Sequence, residues 1–132
     1  MASHAEGTME MGSWDEQPIV EIDDKRKLTT TTVTQKLSGD IEGEGSATWL
    51  ATYQADGTAA YVGYQRIVGK IGDAEGSIVL RMTGGYDGTL ARSTWEVVEG
   101  MGTGAFEGAT GGGKSDAPSD GSPTYSFDYE VS

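Results

Sequence analysis

Two phenols and an amide are the side chains best suited to chemistry in this sequence: Tyr53, Tyr61 and Gln65. A tyrosine hydroxyl can donate a hydrogen bond to a carbonyl or to developing negative charge, and a glutamine amide can orient a carbonyl or carboxylate. The sequence offers few rivals. It has no cysteine, which removes disulfides, thiolate metal sites and thiol nucleophiles together. With one histidine, His4, zinc chemistry and a histidine-based triad are not expected either. Glu42 and Glu44 stand two apart on one strand face, but a carboxylate pair divides acid and base duties only when burial separates the two pKa values. Their Gly-rich surroundings favour solvation. Gly102-Thr103-Gly104 lacks the Lys-Ser/Thr pair and the following helix of a phosphate-binding loop.

Tyr53, Tyr61 and Gln65 form the candidate catalytic set. Trp14, Trp49, Gly63, Trp95 and Phe127 are the candidate substrate-binding wall, with Arg92 as a partner for a substrate carboxylate. The competing reading is that the aromatics fill a core or a subunit interface and that Arg92, like Arg66 and Arg81, lies on the surface.

Short segments in which apolar and polar residues alternate, bounded by Gly, Asp or Ser, must position these groups. The expected strands are Thr8 to Asp15, Leu28 to Leu37, Ile41 to Tyr53, Thr58 to Val68, Ser77 to Thr83, Tyr86 to Val98 and Tyr125 to Val131. In the first, Met9 and Met11 share one face and Trp14 falls on the other. Pro18 marks an edge, a bulge or a break, and Asp56-Gly57 is a hairpin turn. Along the fourth, Ala59, Tyr61, Gly63, Gln65 and Ile67 alternate with Ala60, Val62, Tyr64, Arg66 and Val68. Both faces look at least half-buried, as for a wall between a lumen and a neighbouring subunit or covering segment. One residue of register exchanges the two sets, so the lumen face stays open at this stage.

The sixth strand reads as the longest. After it, Gly100 to Gly113 carries seven glycines in fourteen positions, with Phe106 the only large aromatic. This is a shaped bend pinned by one ring. Lys114 to Pro123, rich in Ser, Asp, Gly and Pro, reads as a mobile surface loop.

The chain length fits one domain, taken as residues 8–132 behind a flexible leader at 1–7 that includes His4. Twenty-one acidic against nine basic side chains give a net charge of −12. That balance argues against nucleic acid and anionic membrane surfaces as partners. No apolar run approaches a membrane span, and the first seven residues lack the basic and apolar regions of a signal peptide. A cytoplasmic location is expected. Strands in hairpin order with tight turns suit an all-β fold, a small closed antiparallel β-barrel of about eight strands.

Several segments resemble the bacterial DUF3224 family: Ser13-Trp14-Asp15-Glu16, Ser38-Gly39-Asp40-Ile41-Glu42-Gly43-Glu44-Gly45 and Asp56-Gly57-Thr58-Ala59. So do Gly84-Gly85-Tyr86-Asp87-Gly88, Ala91-Arg92-Ser93-Thr94-Trp95 and Gly102-Thr103-Gly104-Ala105-Phe106-Glu107-Gly108. The likeness runs from about Gly7 to Val131. That family in turn resembles the allene oxide cyclase and dirigent barrels. The resemblance implies an eight-stranded barrel with a lumen for an apolar small molecule, and dimers or trimers. It also implies a shortlist of activities, in which a cyclase or isomerase folds an apolar polyunsaturated or polyketide-type substrate without a cofactor. The second reading is a non-catalytic carrier of an apolar ligand, and the third a purely structural oligomer.

Overall fold

The computed structural model describes residues 3–118 and 121–131. Nine strands run in chain order: β1 Ser3–Glu21, β2 Lys27–Gly39, β3 Ile41–Tyr53, β4 Ala59–Ile71, β5 Ala74–Tyr86, β6 Leu90–Val97, β7 Thr103–Gly104, β8 Ala109–Pro118 and β9 Thr124–Val131. Eight pair antiparallel around a closed circuit, β1-β2-β3-β4-β5-β6-β8-β9 and back to β1; the two-residue β7 adds to the edge of β5. Closure leaves no free sheet edge around the wall, which suits strands so rich in Thr and Val.

The antiparallel order fixes two ends. The β2–β3 and β4–β5 turns and the bend at 98–108 gather at one, called lower here; the β1–β2, β3–β4, β5–β6 and β8–β9 connections form the upper. Leu37, Ile41, Ile67, Ile78, Leu80, Val97 and Phe106 pack the lower lumen, and all are buried. One ring of cross-strand neighbours shows how the interior is filled: Trp49, Gly63, Met82, Trp95, Gly113, Phe127 and Ala5 face one another in register. Large side chains alternate with small ones, as a narrow barrel demands.

The Gly-rich bend closes the lower end. Thr103 and Gly104 pair with Ser77 and Gly76, and the Ser77 and Thr103 hydroxyls hydrogen-bond at 2.6 Å. Gly104 and Gly108 take φ of 62° and 82°, a region costly for residues with a Cβ. The Phe106 amide donates to the Thr103 carbonyl at 3.1 Å, folding the ring inward to 4% exposure and into edge contact with Tyr129. Phe106 is the anchor its isolation among glycines implied. The bend is shorter than expected, because Gly111 to Gly113 already belong to β8.

Several boundaries differ from the sequence expectation. Residues 3–7, read as a flexible leader, form the start of β1 and pair with β9; the His4 ring hydrogen-bonds Asp128 at 2.7 Å and Glu6 at 3.1 Å. Both acids raise the His4 pKa. The longest strand is β1, with 19 residues, not the one before the bend. It carries two irregularities, between Met11 and Trp14 and at Pro18 to Val20. Lys114 to Pro118, read as loop, complete β8 against β6 and β9. On the outer face of β3 and β4, Leu50, Val62, Tyr64 and Val68 are exposed. The half-buried outer face expected there is therefore not covered by any described segment of this chain. Among the described residues no helix is long and apolar enough to cross a membrane.

Phe106 and Met101 lie in the same bend but differ in role, since Met101 is 53% exposed. Phe106→Ala is expected to lower unfolding free energy by about 3–5 kcal/mol, and Met101→Ala to change it by less than about 0.5 kcal/mol. Urea denaturation of the two variants checks this contrast.

Candidate functional site

The upper lumen is not filled. A cavity of about 130 Å³ lies there, lined by Met9, Met11, Trp14, Gln35, Trp49, Tyr61, Gln65, Met82, Ala91, Ser93, Trp95, Ser115, Ala117 and Pro123. Three glycines on the wall help to shape it. An added Cβ at Gly63 would stand 2.5 Å from Trp49 Cβ; the missing side chain is what lets Trp49 lie across β4. At Gly84 a Cβ would come within 2.8 Å of the Tyr61 hydroxyl. Tyr61, Gly84 and Ser93 are direct cross-strand partners, so the phenol of β4 crosses the bare strand β5 and hydrogen-bonds Ser93 Oγ on β6. At Gly45 a Cβ would stand 2.7 Å from Gln65 Nε2. Over that gap Gln65 donates from Nε2 to Gln35 Oε1.

The lining is therefore rings and amides. Trp14 meets Trp49 edge-on with centroids 5.6 Å apart, and Trp49 meets Tyr61 at 5.6 Å. Trp95 stacks on Tyr125 at 6.0 Å below them. Burial raises the Tyr61 pKa above that of a free phenol, and its bond to Ser93 offsets only part of the rise. The hydroxyl stays protonated at neutral pH. It is a neutral donor or acceptor.

A second polar group sits at the rim. Glu16 Oε2 accepts hydrogen bonds from Tyr53 OH at 2.5 Å and from Thr29 Oγ1 at 2.8 Å, tying β1 to β2 and β3. Lys27 Nζ lies 4.9 Å from the centroid of the Tyr53 ring. Partial burial alone would raise the Glu16 pKa, but the two hydroxyl donors and nearby Lys27 outweigh it, so Glu16 titrates below the usual glutamate value. Burial and then the bond to Glu16 push the Tyr53 phenol up to about 12.

Most of the sequence-predicted site residues come together and three do not. Trp14, Trp49, Tyr61, Gln65 and Trp95 all line the cavity. Gly63 contributes by lacking a side chain. Trp14 was expected on the face opposite Met9 and Met11; the irregularity between Met11 and Trp14 breaks the period of two and brings all three to the cavity. Tyr53 is held at the rim by Glu16 and is not a cavity wall. Phe127, 1% exposed, is packed core. Arg92 projects outward, pairing with Asp116 at 3.2 Å, and Arg81 likewise with Glu96 at 2.8 Å. Glu42 and Glu44 are exposed, as their turn implied.

Sequence reasoning missed Gln35, Glu16 and Thr29. Glu16 stands two residues from Trp14, so an acid shares the strand face of a lumen ring, which is a readable signal. Gln35 shares its face with Val33 and Leu37, and a polar residue in that row was equally visible.

An antiparallel eight-stranded barrel with a packed lower half and an aromatic upper chamber defines a barrel protein with a small internal cavity. The chain belongs to the DUF3224 family, described as a family of unknown function, which it matches over residues 5–129. A solved crystal structure of a DUF3224 protein of unknown function from Shewanella oneidensis MR-1 is similar, with a TM-score of 0.78 and 22% identity. The match covers 100% of this chain and 99% of that one, and it shows the shared fold. No curated protein matches the chain.

The lowered pKa of Glu16 makes its contribution to stability depend on pH with a definite sign. The contribution is fully present above the ordinary value of 4.5 and is lost as pH falls through the lowered folded value. Glu16→Gln is expected to melt below the parent near neutral pH, with the gap closing on acidification. A melting-temperature difference that stays constant across the acid range would show that the charge of Glu16 is not what holds the rim.

Proposed function

We propose that the chain is a binding barrel for a small, mainly apolar molecule held in the upper lumen. The observation that carries this reading is the cavity of about 130 Å³, closed below by packed aliphatic side chains and walled by Trp14, Trp49, Tyr61 and Trp95. Buried aromatic walls with a few placed polar groups are the usual composition of small-molecule sites. Size favours the carrier reading over the cyclase that the resemblance implies. Pockets for drug-sized ligands hold roughly 300–1,000 Å³, whereas an apolar cavity of about 150 Å³ accepts benzene. The chamber suits a ring better than a flexible polyene that must be folded for cyclisation. Binding is the better-supported activity. Catalysis would add to it the Tyr61–Ser93 and Gln35–Gln65 pairs as polarising groups, acting on a molecule already held in the chamber.

Trp14, Trp49 and Trp95 surround the cavity, so ligand entry is expected to change tryptophan fluorescence. Ala117→Phe, which places a ring inside the upper wall, is expected to remove saturable binding of small aromatic compounds while the far-ultraviolet dichroism of the barrel stays unchanged. Binding that survives this filling would place the ligand elsewhere. Mass spectrometry of the titrated mixture distinguishes an unaltered ligand from a converted one.

A further inference from the structure

Charge and amide pairing in the upper chamber narrow the ligand beyond size. None of the cavity-lining residues is ionisable to a charge near neutral pH: the polar members are Gln35, Gln65, Tyr61, Ser93, Ser115 and the Trp indoles. Among the described residues, the carboxylates and cations all lie elsewhere. An ion entering this chamber would lose its hydration with no opposite charge to meet it, which costs far more than desolvating a neutral polar group.

The polar groups inside are nearly, not fully, matched to one another. Tyr61 and Ser93 satisfy each other. The two glutamines share a single hydrogen bond, from Gln65 Nε2 to Gln35 Oε1. That is the one hydrogen bond found for either amide among the described residues, and the buried Trp95 Nε1–H, also on the cavity wall, has no partner. Gln65 is 1% exposed and lines the cavity. Buried amides are almost always paired more completely than this, and the opening beside them is the chamber. The Gln65 carbonyl, the Gln35 amide N–H groups and the Trp95 indole N–H therefore remain as acceptor and donors on the chamber wall, beside rings spaced for aromatic contact.

Resting on the binding reading above, we infer that the upper lumen takes a neutral, planar, single-ring aromatic carrying a carboxamide-type group, the ring between Trp14, Trp49 and Tyr61 and the amide on Gln35 and Gln65. A primary aromatic amide has both the acceptor and the donor that the glutamine pair leaves unmet. It carries no charge, and its ring matches the size of the chamber.

The test uses three probes of nearly equal shape: benzamide, benzoate and toluene, titrated against the full chain by calorimetry and tryptophan fluorescence near neutral pH. Benzamide is expected to bind about tenfold or more tighter than either of the others, the scale of one well-made hydrogen bond or more. Gln65→Leu is expected to erase the advantage of benzamide over toluene while toluene still binds. Gln35→Leu, at a less buried position, supplies the same readout if Gln65→Leu does not fold. Benzoate or toluene binding as tightly as benzamide would overturn the ligand class and leave the binding reading standing. Failure of all three to bind the parent protein would overturn both.

Discussion

The interior of this barrel depends on large side chains lying across strands that have no side chain at the crossing point. Eight strands enclose a lumen that side chains almost fill. Trp49, Tyr61 and the Gln35–Gln65 pair fit only because Gly63, Gly84 and Gly45 leave the wall bare beneath them. The glycines and rings are one device, and neither works without the other. At the lower end the same lumen is packed with Leu, Ile, Val and Phe and sealed by the folded bend at Phe106. The asymmetry between a packed end and an aromatic chamber follows from where the bare positions fall.

The charge distribution completes that asymmetry. In a chain with a net charge of −12, the described residues of the chamber wall are all neutral. Glu16 sits at the rim of the lumen. Two hydroxyl donors and a neighbouring lysine hold it there in its charged form. It works as a fastening between β1 and its neighbours. Because Trp14 stands two residues before it on the same strand, the fastening also fixes one wall of the chamber.

The alternation in β4 grouped Tyr61, Gly63 and Gln65 on one face, because that strand is regular over its whole length, but left open which of its two faces was the lumen. The same reading gave β3 its observed bounds and isolated Phe106 as an anchor. Where the sequence misled, a local irregularity or a distant partner was responsible. A period-of-two reading of β1 cannot survive the extra residue between Met11 and Trp14, so Trp14 was assigned to the wrong face. Residues 3–7 look like a loose leader until β9, more than a hundred residues away, supplies their partner. Lys114 to Pro118 have the composition of a loop, but β6 on one side and β9 on the other hold them extended. Arg92 was offered as a carboxylate partner against a surface reading, and its pairing with Asp116 on the neighbouring strand, which favours the surface, leaves no local trace. The Glu16–Tyr53 bond, between side chains 37 positions apart, is hidden in the same way.

The seam between β1 and β9 has a consequence in time. Neighbouring strands elsewhere in the wall are joined by short turns or by the compact bend, so they can meet as soon as both have been made. The seam joins Ser3–Thr8 to Thr124–Tyr129, and its loop-closure entropy must be met before its contacts give anything back. On that ground the barrel is expected to close last along this line. Until then β1 and β9 are the two open edges of a curved, unfinished sheet. Tyr125 of β9 donates to the Ser38 carbonyl at 2.8 Å and accepts from the Ile41 amide at 2.9 Å. Those groups flank the β2–β3 turn, a hairpin that local contacts alone can form early. One phenol thus bolts the longest-range junction of the wall to one of its most local.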